Sequence, residues 1–182
     1  MPDDVVTNAA DPEVPLHEDP VIQGRRWFLL GIMCLSLVMV VMSVSGLNVA
    51  LPSLQRSLKA SSTELQWIVD AYSLVFSALL LPAGALGDRF GRKRALLLGL
   101  AVFAVGSVIG GIATGAGQVV AGRIVNGIGA AFVMPATLSL ITTIFPPHER
   151  RKAIAVWAGF AGAGGAIGPI VSGGLLERFW WG

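Results

Sequence analysis

Residues 65–113 read LQWIVDAYSLVFSALLLPAGALGDRFGRKRALLLGLAVFAVGSVIGGIA, and this stretch decides the fold. Two apolar runs, Leu65–Gly87 and Ala95–Ala113, flank one short insert, Asp88-Arg89-Phe90-Gly91-Arg92-Lys93-Arg94. Each run is close to the ~20 residues that a helix needs to cross ~30 Å of hydrocarbon. Neither alternates with period two, and lipid admits only helices or closed barrels, so the stretch predicts two membrane helices joined by a tight basic turn. The pattern repeats on both sides. Trp27–Leu51 precedes it, while Gln118–Phe145 and Ala153–Leu176 follow, giving five predicted spans. The run at Gln118–Phe145 is long enough to tilt or to extend past one face of the bilayer.

Composition agrees. Of the 182 residues 54% are hydrophobic and only 13% charged, with 23 glycines. A soluble chain carries about 25% charge. Glycine at this level suits helices that approach closely in lipid. The net charge of +2 does not signal a nucleic-acid partner, because the basic residues sit in short clusters between apolar runs. Cys34, the single cysteine, rules out an internal disulfide and reads as packing inside the first run. His17 and His148 both fall outside the spans, and no cluster of metal-binding or nucleophilic residues is visible, so neither a metal, a cofactor nor an enzyme is expected.

Residues 1–24 hold six acidic residues (Asp3, Asp4, Asp11, Glu13, Glu18 and Asp19) and no Lys or Arg, which predicts a short disordered tail rather than a signal peptide. Nine basic residues fall on one side of the predicted membrane: Arg25, Arg26, Arg89, Arg92, Lys93, Arg94, Arg150, Arg151 and Lys152. Arg56, Lys59 and Arg178 fall on the other. The positive-inside rule therefore predicts a cytoplasmic N-terminus in a cell (inner) membrane. An odd number of spans, closed by Phe179-Trp180-Trp181-Gly182 in interfacial style, is the pattern expected of a partial chain, with 25–182 forming helices one to five of a larger bundle.

Several strings carry more than hydropathy. Gly84-Ala85-Leu86-Gly87-Asp88-Arg89-Phe90-Gly91-Arg92-Lys93-Arg94 requires a sharp reversal, for which Gly91 can supply a positive φ and Asp88 a carboxylate to cap or face a helix N-terminus. The basic residues would hold this turn at an anionic leaflet. Asp70 is the one carboxylate placed within a span, where burial would favour its protonated form; an interfacial Asp is the alternative. Arg123 also lies within a span, at ~2.5–3.5 kcal/mol on insertion scales, unless it snorkels to the nearby outer interface. Asp70 and Arg123 enter from the same side at similar depth, which leads to the expectation that they lie close and exchange partners. Gly164-Gly165-Ala166-Ile167-Gly168-Pro169-Ile170-Val171-Ser172-Gly173-Gly174 places small residues at helical spacing around a proline, reading either as a specialised helix or as generic glycine packing.

The 84–94 string resembles the loop signature of the major facilitator superfamily, G-x-L-[AG]-D-R-x-G-R-[KR], at every defined position. Arg123-Ile124-Val125-Asn126-Gly127-Ile128-Gly129-Ala130-Ala131 resembles the family's R-x-x-Q-G-x-G-A-A helix, with Asn126 in the Gln position. The 164–174 string is similar to the exporter motif g-x-x-x-G-P-x-x-G-G, with Ser172 in a glycine position. Trp67-Ile68-Val69-Asp70-Ala71-Tyr72-Ser73 resembles exporters of quaternary ammonium and related lipophilic cations, in the branch with about fourteen spans. The resemblance covers essentially everything but the tail. It implies an all-α bundle of the major facilitator type and drug export by proton antiport, with a small amphipathic substrate and protons as partners, no cofactor, and a C-terminal half absent from this chain. It also implies proton-coupling roles for Asp70 and Arg123 and a cytoplasmic gate loop of Gly84, Asp88, Arg89, Gly91, Arg92 and Lys93. Gly164, Gly168, Pro169 and Gly173 would form the antiporter helix. One departure stands out: the end of the first span resembles D-x-T-[IV]-V-N-V-A-L-P, but Ser43 and Ser45 occupy the Asp and Thr positions. Metabolite uptake by the same superfamily, or a truncated fragment without transport, are the alternative readings.

Overall fold

Ser61 opens the second helix by accepting a hydrogen bond on its hydroxyl from the Glu64 N–H, while its own N–H donates to the Glu64 carboxylate (2.8 Å). This reciprocal box satisfies two amide donors that a helix start would otherwise leave open. In the computed structural model, which describes residues 20–177, five helices follow one another: α1 Pro20–Leu58, α2 Ser62–Phe90, α3 Arg92–Gly111, α4 Ala116–Ile144 and α5 Pro147–Leu176. All five are long and apolar enough to cross a membrane, and no strand occurs among the described residues.

α1 and α2 outrun their apolar stretches at both ends, and α3, α4 and α5 at the N-terminal end alone, because charged or weakly apolar residues end a hydropathy run without ending a helix. The largest extension is in α1, which runs from Pro20 to Leu58, and α5 starts at Pro147 and takes in His148 to Lys152. A proline at the first helical position costs nothing there, since its missing N–H would be unpaired anyway. Likewise α1 starts at Pro20, so residues 20–24 are helical rather than part of a tail ending at residue 24. The rest of that tail, and the aromatic cluster after Glu177, lie outside the described residues.

The centre of the bundle is α4, which packs along α3 on one side and α2 on the other, while α5 packs along α1; α1 meets α4 to join the two groups. Glycines set these seams. A Cβ on Gly129 would sit 2.6 Å from the Phe103 amide nitrogen, and one on Gly122 would sit 2.8 Å from the Gly110 nitrogen, so α3 and α4 touch backbone to backbone. One apolar core (Leu30, Met33, Cys34, Tyr72, Phe103, Val133, Phe145) occupies the middle and the α2–α3 turn end. A second (Leu54, Ile68, Val119) occupies the opposite end. Large apolar side chains also cover the outside, with Leu81 83% and Ile170 73% exposed. Lipid is the solvent for such a surface.

Candidate transport site

Gly91 has φ +102°, the left-handed backbone that lets α2 end at Phe90 and α3 begin at Arg92 with one residue between them. Asp88 does not cap α3. It lies within the last turn of α2 and accepts from Arg92 Nε (3.2 Å), an i,i+4 pair that spans the link to α3. Arg92 then reaches α4, where Nη1 donates to the Ser139 carbonyl (3.1 Å) and to the Thr143 hydroxyl. One guanidinium therefore ties the ends of α2, α3 and α4 together. Arg89 lies over the Phe90 ring, and Asp88, Arg89 and Lys93 are exposed. Gly84 leaves space, since a Cβ there would meet Pro135 Cβ only at 3.7 Å.

A second latch at this end escaped sequence reading. Arg26 on α1 pairs with Glu149 at the start of α5 (3.0 Å), Lys152 lies over the Trp27 ring, and Trp27 meets Phe145 edge to face. Opposite charges near two helix starts gave no sign of which helices would meet.

Arg123 sits two turns inside α4 and is 6% exposed. It does not snorkel. Nε donates to the Ile68 carbonyl (3.2 Å), Nη1 to the Ser43 hydroxyl (3.0 Å) and carbonyl (3.4 Å), and the guanidinium lies 4.3 Å from the Tyr72 ring centroid. The rest of its motif is seam. Asn126 stands against Gly106 of α3, Gly127 against the Tyr72 carbonyl of α2, and Ala130 and Ala131 are fully buried.

Asp70 is not beside Arg123. Ile68 and Tyr72, one turn apart, face α4; Asp70 lies between them in sequence and so ~200° around the helix. It is exposed and lines a separate open cavity of about 550 Å³ with Gln66, Trp67, Ser73, Leu74 and Ser77. The expectation of a close Asp70–Arg123 pair is therefore corrected. A helical wheel drawn on Ile68, Asp70 and Tyr72 holds that signal, because these residues cannot all face one neighbour.

The glycine-rich helix meets α1 by mutual fit. A side chain on Gly168 would strike Ser45, and one on Gly46 would strike Ser172. Gly164 faces Val38 and Val41 at 3.3–3.4 Å, and Ser45 Oγ donates to the Gly164 carbonyl (3.4 Å). Gly173 sits looser, with Val49 3.9 Å from an added Cβ, and α5 continues through Pro169. Trp157 packs on α4, donating to the Thr137 hydroxyl (3.3 Å), whereas Phe160 faces outward. No group of His, Cys, Asp or Glu able to hold a metal occurs among the described residues.

Five apolar helices with a basic glycine turn, an interior arginine and a small-residue seam define a multi-pass membrane protein. The Major Facilitator Superfamily model matches residues 33–182, and the chain belongs to that superfamily of membrane transporters. It is similar to the multidrug efflux pump LfrA of Mycolicibacterium smegmatis, 46% identical over 87% of this chain and 32% of that protein. It is similar also to the methyl viologen resistance protein SmvA of Salmonella typhimurium, 43% identical over 87% of this chain and 32% of that protein. The puromycin resistance protein pur8 of Streptomyces alboniger is 40% identical over 89% of this chain and 33% of its own length. The chain thus spans about a third of the length of these curated relatives. A solved bacterial homologue of the human lysosomal transporter Spinster, inward-facing and unoccupied, matches with TM-score 0.75 over 82% of this chain and 32% of its own, at 22% identity. That last likeness concerns the fold.

Proposed function

We infer that the chain is the N-terminal bundle of a proton-driven exporter of drugs or lipophilic cations, working in the cytoplasmic (inner) membrane with its N-terminus inside the cell. The observation that carries this reading is the exposed face of α2. Gln66, Asp70, Ser73 and Ser77 recur at helical spacing along it and all are exposed. Bare lipid does not tolerate a carboxylate and three polar residues in a row on a membrane helix, so this stripe faces water or an opposing bundle. A carboxylate on such a face can hold a lipophilic cation or a proton, but not both at once, and that exclusion is what antiport requires. Trp67 beside it offers the aromatic surface that cations favour. The names of the relatives, a multidrug pump and two resistance proteins, point the same way.

In this reading Asp70 exchanges proton for drug, and Arg123 supports coupling indirectly by fixing α1, α2 and α4 against one another. The turn of Gly84, Asp88, Arg89, Gly91, Arg92 and Lys93 closes the cytoplasmic side against the second bundle. The seam at Gly164, Gly168, Pro169 and Gly173 holds α5 on α1 while the bundle rocks as a unit.

The experiment is growth of a pump-deficient bacterial host carrying the full-length protein in graded methyl viologen or ethidium. The wild type raises the tolerated concentration by tenfold or so, and Asp70→Asn removes most of that gain at equal membrane abundance. Equal resistance from Asp70→Asn would contradict the role given to Asp70.

A further inference from the structure

Arg123 is a buried cation without a carboxylate. Among the described acidic residues, Asp88 pairs with Arg92, Glu149 with Arg26, and Glu64 closes the box with Ser61. Asp70 and Glu177 are exposed, Asp70 on the far face of α2 and Glu177 at the end of α5. What Arg123 does have is neutral: two carbonyls, the Ser43 hydroxyl and the face of Tyr72. These satisfy Nε and Nη1. Among the described residues Nη2 has no hydrogen-bond acceptor. A ring face offsets part of a cation's desolvation, but it is no counter-charge.

The same guanidinium borders a cavity of about 620 Å³ between α1, α3, α4 and α5. None of the residues lining that cavity is acidic. Its polar groups are Ser43, Ser107, Asn126, Ser172 and Arg123 itself, set in an otherwise apolar wall of Leu47, Leu54, Val119 and Leu175. Positive charge, hydroxyl and amide donors and apolar walls are the make-up of an anion site, and a cation entering it would meet an uncompensated guanidinium.

We propose that this cavity binds a monoanion, a carboxylate or a halide, against Arg123 Nη2, with Ser43 and Asn126 beside it. The site is distinct from the Asp70 stripe, which lines the other cavity, and it goes beyond the export reading because occupancy is read without transport. A carboxylate would use the guanidinium edge and seat its apolar body on the leucines; a halide would use the charge alone.

The test is thermal unfolding of the purified full-length protein in detergent, titrated with sodium benzoate or sodium chloride at constant ionic strength against sodium gluconate, a carboxylate whose hydroxylated body does not suit the apolar wall. Wild type is expected to gain about 2 °C or more, saturably, with at least one of the two probes. Benzoate alone marks a carboxylate site, and chloride alone a halide site. Ser43→Asp, which sets a carboxylate on Nη1, is expected to abolish the gain, while Ser43→Asn, of aspartate's size but neutral, keeps a saturable though smaller gain because only the hydroxyl beside the anion is lost. No saturable gain with either probe overturns the proposal, and is also what a carboxylate supplied by the rest of the full chain would give. A gain unchanged in Ser43→Asp, or lost equally in Ser43→Asn, overturns it too, since the response would then not depend on the charge of Arg123.

Discussion

Gly91 and Arg92 divide the work of the α2–α3 turn, the glycine through its backbone and the arginine through its side chain. With φ +102° at Gly91, Gly91→Ala forces an L-residue into the left-handed region and costs about 1–2 kcal/mol, visible as a lower unfolding temperature of the full protein in detergent. Arg92→Ala removes two bonds to α4 from a half-buried group and costs about 1–3 kcal/mol in the same assay. Asp88→Asn alters only the exposed side of that network and stays within about 0.5 kcal/mol of wild type. If export falls in Asp88→Asn all the same, Asp88 acts in gating rather than in stability. The positive φ at Gly91 was legible in the sequence because Gly91 is the one glycine in the short insert Asp88–Arg94 between the two predicted helices. The partners of Arg92 and Arg123 were not legible. They are Ser139, Thr143, Ser43 and the Ile68 carbonyl, neutral groups far away in sequence that carry no signature of their own. Charge and depth both point from Arg123 to Asp70, but the direction around α2 turns Ile68 and Tyr72 to the arginine and Asp70 away from it.

At the scale of helices, glycines that look alike in sequence differ in what they meet. Gly129→Ala drives a Cβ to 2.6 Å from the Phe103 nitrogen and 2.7 Å from the Gly99 oxygen, so α3 and α4 must part, at about 1–3 kcal/mol. Gly84→Ala meets nothing closer than 3.7 Å and gains up to about 1 kcal/mol from helix propensity. Thermal unfolding of the two variants side by side checks the contrast, and equal losses would argue against the backbone contact of α3 with α4. The existence of all five helices followed from hydropathy alone, because apolar runs of membrane length admit no other local structure. Which helix lies against which did not, since every one of them is apolar most of the way round. The Gly164/Gly168 face was readable as flat, but its fit to Ser45 and Met42 of α1 depends on a pairing that only the folded chain defines. The polar stripe on α2 gives a further check at this scale. In a Cys34→Ser background, Ser73→Cys and Ser77→Cys of the full protein should react with a membrane-impermeant maleimide, while Leu98→Cys on the exposed apolar face of α3 should not.

For the molecule as a whole, these helices form about a third of the length seen in the relatives, with the α2 stripe and much of the basic turn exposed and the α1–α5 seam closed within the chain. The two groups of helices, α1 with α5 and α4 with α2 and α3, meet chiefly through α1 and α4. Positive charge is concentrated at the α2–α3 turn end, with Arg25, Arg26, Arg89, Lys93, Arg150 and Arg151 on that side. The measurement that bears most directly on the central claim is drug uptake into inverted membrane vesicles holding the full-length protein, under an imposed pH gradient, acid inside. Ethidium should accumulate in wild-type vesicles, collapse when a protonophore is added, and fail to accumulate with Asp70→Asn. Accumulation that ignores the protonophore, or that persists undiminished in Asp70→Asn, would contradict a proton-driven exporter working through the exposed face of α2.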